Sequence, residues 1–302
     1  VWSTAMRAVC RLVAAAALAL LCVLAPAHAW GPLTHFDMGC KAVMGETNVV
    51  ECLQQYTADV GAMELPDACY FPPHFIQGHT CSDLLVSIHD PIFAGYAVLM
   101  ANETSAPSGQ LQWALSFGSH ALSDNGGFLT GYLAEPGEVN WLTVWQFMTA
   151  LDAYVAQDWV NVSGATPATI EAAVTAALQP ISSANAQWLS EAAMAYQQVD
   201  PTFPNITAED IVTCSTEWVP SILPMTLQAT RTPSDWYQEQ IPFYDGITHN
   251  TTYTWEEASS RFLAYRQCGQ DAVTVWQNAL MAGSTPEKAF AIAATQCLAC
   301  QA

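Results

Sequence analysis

The stretch Asn140–Val155, NWLTVWQFMTALDAYV, decides the fold class. Trp141, Val144, Trp145, Met148, Leu151 and Val155 recur at three- and four-residue steps, which places them on one stripe of a helix. Elsewhere the helix starts are written in threonine. Thr166-Pro167 in TPATIEAAVTAAL and Thr285-Pro286 in TPEKAFAIAATQCL each set an N-cap residue before a proline at the first helical position. Thr254 and Glu257 in TWEEASSRFLAY have capping-box spacing. Period-two alternation bounded by turn residues is nowhere convincing. The segment Leu65–Thr80, LPDACYFPPHFIQGHT, is too rich in Pro, Gly and Cys for a helix and reads as an ordered loop. With no repeat and no low-complexity linker, the expectation is an all-α, compact single domain spanning residues 30–302.

Residues 1–29 are set apart from that domain. From Met6 the chain runs through Arg7 and Arg11, then LVAAAALALLCVLAP, then Ala27-His28-Ala29. A basic start, an apolar centre too short to span a bilayer comfortably and a small-x-small end make a secretory signal peptide. The five residues before Met6 read as spurious upstream sequence. Cleavage is expected before Trp30, giving a secreted or lumenal protein. Cysteine usage agrees: Cys10 and Cys22 leave with the leader, and eight remain, an even set suited to about four disulfides in an oxidising compartment. Cys40–Cys52 and Cys69–Cys81 are the local pairings expected, with Cys297 and Cys300 tying the end of the chain to Cys214 and Cys268. Sequons at Asn102, Asn161, Asn205 and Asn250 suit a glycosylated surface.

Charge narrows the partners. Beyond the leader, 27 acidic residues face only Lys41, Arg231, Arg261, Arg266 and Lys288, a net charge of about −22. Five cations make no basic stripe, so nucleic acid is not an expected partner, and an anionic membrane would repel the chain. A neutral ligand or transient contact with a zwitterionic lipid surface fits better, and the protein is expected to be a monomer.

Histidine and aspartate carry the chemistry. His35 lies in WGPLTHFDMG, with a helix beginning near Leu33; Asp67 follows in LPDACYF, and His89 in SIHDPIF. His120 and Asp124, in WALSFGSHALSDNGG, are four apart and share one helical face. With the cysteines committed to disulfides, a cluster of His and Asp suits zinc bound by nitrogen and oxygen. Ordinary readings compete at each position. His35 fits an exposed first-turn histidine, His89 a core one, Asp67 after Pro66 a turn, and His79 is a rival ligand to His89. His74 and His249 read as solvated, and Phe71, Trp113, Phe117, Trp141 and Trp145 as core.

The order Trp30-x(4)-His35, Asp67, His89, then His120-x(3)-Asp124 resembles the zinc-dependent phospholipase C superfamily. That group includes bacterial phospholipases C, fungal single-strand nucleases and the catalytic domain of glycosylphosphatidylinositol-specific phospholipase D. The segments PLTHFDMGCKAV, QQYTADVGAMELPDACYFP and SFGSHALSDNGG look most like the last, over residues 30–155. The resemblance implies a phosphodiesterase acting on phospholipids or glycosylphosphatidylinositol anchors and holding about two zinc ions. One ion would use Asp67, His89, His120 and Asp124. The other would use the α-amino group and carbonyl of Trp30, His35 and a shared Asp124, with Asp67 doubling as catalytic base. A terminal amine, with a pKa near 8, loses its proton readily enough to ligate metal. The family's third metal site uses histidines that are missing here: Phe128 stands near where one is expected, and no histidine occurs from 121 to 248. That metal is absent or held by carboxylates such as Glu135, Glu138 or Asp152. Two alternatives therefore stand beside the hydrolase: a non-catalytic glycoprotein keeping a structural two-zinc core, and a single-strand nuclease, which the charge disfavours.

Overall fold

In the order of the chain, the helices are α1 (Pro32–Gly39), α2 (Val49–Gln55), α3 (Thr57–Ala62), α4 (Pro91–Ala101), α5 (Gln110–Ser123), α6 (Trp141–Ser163), α7 (Pro167–Ala177), α8 (Ser183–Tyr196), α9 (Ala208–Arg231), α10 (Trp255–Met281) and α11 (Pro286–Ala299). They come from a computed structural model that describes residues 31–69, 88–103, 109–124, 141–231 and 255–299, with backbone alone along 68–69, 141–150, 255–262 and 297–299 and at 221, 225 and 231. No strand occurs among the described residues, and the fold is all-α. No helix among them is long and apolar enough to cross a membrane.

The caps follow the sequence. Thr166 accepts the Thr169 amide ahead of Pro167, and Asp90 accepts the Ile92 amide ahead of Pro91. Each satisfies a donor that the first helical turn leaves orphaned. Of the α6 stripe, Leu151 and Val155 are buried as expected; the side chains at 141, 144, 145 and 148 lie outside the described residues. One expectation needs correction. Leu65–Cys69 is not loop but a 3-10 helix, entered through the Asp67 amide bonding the Glu64 carbonyl. Pro66 has no amide to lose at the first turn of a short helix and so does not block it.

Two helices position the site. Helix α5 packs against α1, α3, α4 and α10, so both of its faces are covered. Its back lies on α10, where Gly118 admits the Trp276 ring so closely that a Cβ would meet it at 2.4 Å. Its front carries Trp113, Phe117, His120 and Asp124 at helical spacing, all buried. Helix α1 is buried along all eight residues, between α5, α6 and α10. A π-turn, Cys40–Met44, extends it, and the Cys40–Cys52 disulfide ties it to α2 as expected. Cys214 and Cys268 are also disulfide-bonded. The pairing of Cys81, and of the side chains of Cys69, Cys297 and Cys300, lies outside the described residues.

A buried helix with polar residues must satisfy them. Asp37 is met on one side by Lys41 at 2.8 Å, Arg266 at 3.4 Å and the Trp159 indole N–H at 3.0 Å. His35, two residues earlier and so on nearly the opposite face, turns toward α5.

Candidate metal centre

Each candidate ligand is delivered by a separate local device. The Asp90 cap and Pro91 start α4 and leave His89 on its threshold, buried. The 3-10 turn presents Asp67, and α5 presents His120 and Asp124 one turn apart. Helix α1 has no side-chain cap of its own at Gly31. Asp152 of α6 serves instead, accepting the Leu33 amide at 3.1 Å and both the amide and hydroxyl of Thr34 at 3.0 and 2.9 Å. This pins His35, one residue further on.

These devices bring His35, Asp67, His89, His120 and Asp124 into one buried cluster. His89 Nε2 lies 3.1 Å from His120 Nε2 and 3.3 Å from Asp67 Oδ1. His120 Nε2 is 3.4 Å from Asp67 Oδ1 and 3.4 Å from Asp124 Oδ2, and His89 Nε2 is 3.9 Å from that same Asp124 oxygen. Zinc bonds of 2.0–2.2 Å, arranged tetrahedrally, put ligand atoms about 3.3–3.6 Å apart. Five edges of the His89–His120–Asp67–Asp124 set therefore cluster around the size of a zinc tetrahedron.

Asp124 also faces the other way, its Oδ1 3.4 Å from His35 Nε2. His35 stacks on His120 with ring centroids 3.9 Å apart, so the two imidazoles serve neighbouring positions. His35, Asp67 and His120 form one group with donor atoms within 4.8 Å of each other, and His89, His120 and Asp124 form another. Either could hold a metal ion, with the single His120 Nε2 lone pair serving one of them.

The outer hydrogen bonds leave the inner nitrogens free to ligate. His120 Nδ1 donates to the Met63 carbonyl. Ser123 Oγ spends its proton on the His120 carbonyl and so accepts from His35 Nδ1, at 3.2 Å. In both neutral rings the lone pair then sits on Nε2, the arrangement that an acceptor behind the ring imposes on metal-binding histidines. His35 Nε2 is buried with no hydrogen bond at all, opposite a carboxylate oxygen. Two lone pairs so placed repel unless a cation lies between them.

Electrostatics agree. Burial, reinforced by His120, drives the His35 pKa well below the usual imidazole value, keeping it neutral. Burial works against charge on His120 too, but Asp67 and Asp124 outweigh it and raise its pKa well above 6.5. Burial alone would raise Asp67; His120 and His89 overcome it and hold the carboxyl below its normal range. For Asp124 burial wins, and its pKa is raised. In the metal-free protein the cluster thus keeps a proton on His120 where a metal ion would otherwise bind.

Asp152 is corrected from candidate ligand to helix cap. Its carboxylate is engaged by α1, and burial pushes its pKa up to about 7. Of the sequons, Asn102 is exposed at the C-cap of α4, Asn161 is exposed on the last turn of α6, and Asn205 is exposed beyond α8. Trp30, Phe71, His74, His79, Phe128, Glu135, Glu138, His249 and Asn250 lie outside the described residues. Glu64 was not singled out in the sequence. Its carboxylate is fully buried beside the cluster, with neither oxygen hydrogen-bonded. Its signal was position: it stands three residues before Asp67, one 3-10 turn away. No protein-family model, curated protein or solved structure matches the chain.

Proposed function

We propose that the protein is a secreted, zinc-dependent phosphoric diester hydrolase resembling the phospholipase C superfamily, acting on phospholipids or glycosylphosphatidylinositol anchors. The observation that carries the reading is the zinc-sized set of separations among His89, His120, Asp67 and Asp124. The nitrogen and oxygen donors suit zinc better than the hard, all-oxygen cations. Bound zinc would supply Lewis acidity toward the phosphoryl oxygens and lower the pKa of a water.

This chain's own residues supply the rest. Asp67 and His89 are 7% and 6% exposed, against 0% and 1% for His120 and Asp124, so a phosphodiester would approach past the first pair. Asp67, held ionised, is the carboxylate placed to take a proton from water at that mouth. Asp124 reaches toward both groups of ligands and spaces them. With Lys41 and Arg266 committed to Asp37, neither is available to meet a substrate phosphate. The test is hydrolysis of phosphatidylcholine, and of a nucleotide ester as comparison, by the zinc-loaded protein and by His89→Ala. Turnover of the lipid that His89→Ala abolishes supports the reading.

Deep burial of His35, His120 and Asp124 favours a second reading, a non-catalytic protein with a structural two-zinc core. Full zinc content without hydrolysis of either substrate would select it. The role assigned to the Trp30 amine has its own test. One or two residues added before Trp30 should remove about one zinc per chain, and proteolytic trimming back to Trp30 should restore it.

A further inference from the structure

A cleft of about 310 Å³ opens between α3, α5, α7, α9 and the link from α7 to α8. That is the lower end of the range of small-molecule sites, about 300–1,000 Å³, and leaves room for one slender ligand. The rim is exposed at Ala58 and Ala176, while Ala62, Leu65, Trp113 and Trp218 make a buried floor. None of the described residues that line it is charged, in a chain that is strongly acidic. Its opening has a local cause. A Cβ on Gly61 would lie 2.6 Å from the Ala177 carbonyl oxygen, so α3 and the end of α7 meet closely at one point. Beside that contact the alanine side chains are too short to fill the space.

The cleft shares its walls with the metal cluster. Leu65 stands on the 3-10 turn two residues before Asp67, about 4 Å along its axis. Ala62 directly precedes Met63, whose carbonyl takes the His120 Nδ1 proton. Trp113 is seven residues before His120 on the same face of α5, about 10 Å away along the helix. One end of these segments builds an apolar floor and the other holds candidate zinc ligands. Trp218 adds a further observation: its indole N–H is buried with no hydrogen-bond partner. The ester carbonyl at the head of an acyl chain is the kind of acceptor that this donor lacks.

We propose that the cleft holds one acyl chain of a zwitterionic phospholipid whose phosphodiester meets the metal cluster. The proposal deepens the hydrolase reading and rests on it for the phosphodiester. It also answers a question of affinity. Lys41 and Arg266 are held at Asp37, so little basic charge is left to retain a phosphate. An apolar chain that displaces loosely held water from an uncharged cleft retains the lipid without any. The substrate class that follows is an acylated phospholipid, and a nucleotide ester, having no chain, forgoes this contact.

The experiment measures binding apart from turnover. Lauroyl-lysophosphatidylcholine, kept below its micelle threshold, is titrated calorimetrically into the whole protein, zinc-loaded and after chelation. Glycerophosphocholine, the same headgroup without the chain, and lauric acid, the chain without the phosphodiester, are the comparison probes. The lysolipid should bind both forms with a negative heat-capacity change, the marker of buried apolar surface. Glycerophosphocholine should bind at least about tenfold more weakly, and so should lauric acid, whose carboxylate the acidic chain repels. Ala176→Phe, at the exposed rim, occupies the cleft and should weaken the lysolipid by more than about tenfold while leaving glycerophosphocholine unchanged. The wild-type comparison of the three probes does not depend on that variant folding. Equal affinity for lysolipid and glycerophosphocholine, tighter binding of lauric acid, or a folded Ala176→Phe that binds the lysolipid as the wild type does, overturns the proposal. Lysolipid held in the cleft of a protein that hydrolyses no lipid would instead overturn the hydrolase reading, so the two failures are distinguishable.

Discussion

His89 Nε2 stands 3.1 Å from His120 Nε2, and between them they face carboxylate oxygens of Asp67 and Asp124. His120 already donates from Nδ1, so with both rings neutral its Nε2 is a lone pair among acceptors. Either a proton or a metal ion must sit there. In the metal-free protein it is the proton, since Asp67 and Asp124 outweigh burial and hold the His120 pKa well above its usual value.

Metal binding should therefore release protons. At pH 7 calorimetric titration of zinc into the apo-protein, repeated in buffers of different ionisation enthalpy, should show protons set free, about one from His120 and most of a second from the Trp30 amine. Apparent affinity should accordingly rise with pH. Buffer-independent heats would contradict the protonated His120.

Asp124 faces both ligand groups, Oδ1 toward His35 and Oδ2 toward His120 and His89. Asp124→Asn should weaken both zinc ions, each by more than roughly tenfold, a loss seen even for residues that only hydrogen-bond a ligand. His35→Ala should weaken one and spare the other. Loss of a single ion in both variants would show that Asp124 is not shared.

The sequence made the helices legible because their starts are chemical: at Thr166-Pro167 and Thr285-Pro286 the threonine hydroxyls accept the Thr169 and Lys288 amides. The five clustered residues were legible only as a set: an ordinary reading competed at each position, and their order, with the cysteines set aside, favoured one cluster. Asp152 was misread because a buried aspartate on a helix looks alike whether it meets metal or backbone. Only the fold brings α1 to it, across 118 residues from Thr34. Glu64 was missed because its neighbour Asp67 explained the segment alone, and an unpaired carboxylate is a property of packing that no spacing reveals.

Asp152 makes stability depend on pH. Burial raises its pKa from 3.8 to about 7, so the folded metal-free chain holds this proton more tightly than the unfolded one. The contribution is complete below the unfolded value and is lost as pH rises through about 7, a change on the order of 4 kcal/mol. Thermal melts of the apo-protein between pH 4 and 8 should show stability falling, and Asp152→Asn should flatten the profile. A wild-type profile rising over that range would contradict the assignment.

Close packing behind the site should be costly to disturb. Gly118→Ala places a methyl against Trp276, a fully buried ring with no room to yield, and should destabilise by about 1–3 kcal/mol despite alanine's better helix propensity. Gly39→Ala meets the flexible end of Met63 and should cost less. Chemical denaturation of both variants checks the order.

The central claim is that the buried His35–Asp67–His89–His120–Asp124 cluster is a zinc centre. Its most direct test is zinc per chain in the purified wild type and in His120→Ala, after exhaustive dialysis, with circular dichroism to establish that both remain helical. About two zinc ions in the wild type and about one in folded His120→Ala, the ion beside His35 and Asp124 being the one kept, is the expected result. A folded wild-type protein that takes up no zinc, or a folded His120→Ala that keeps both ions, would contradict it.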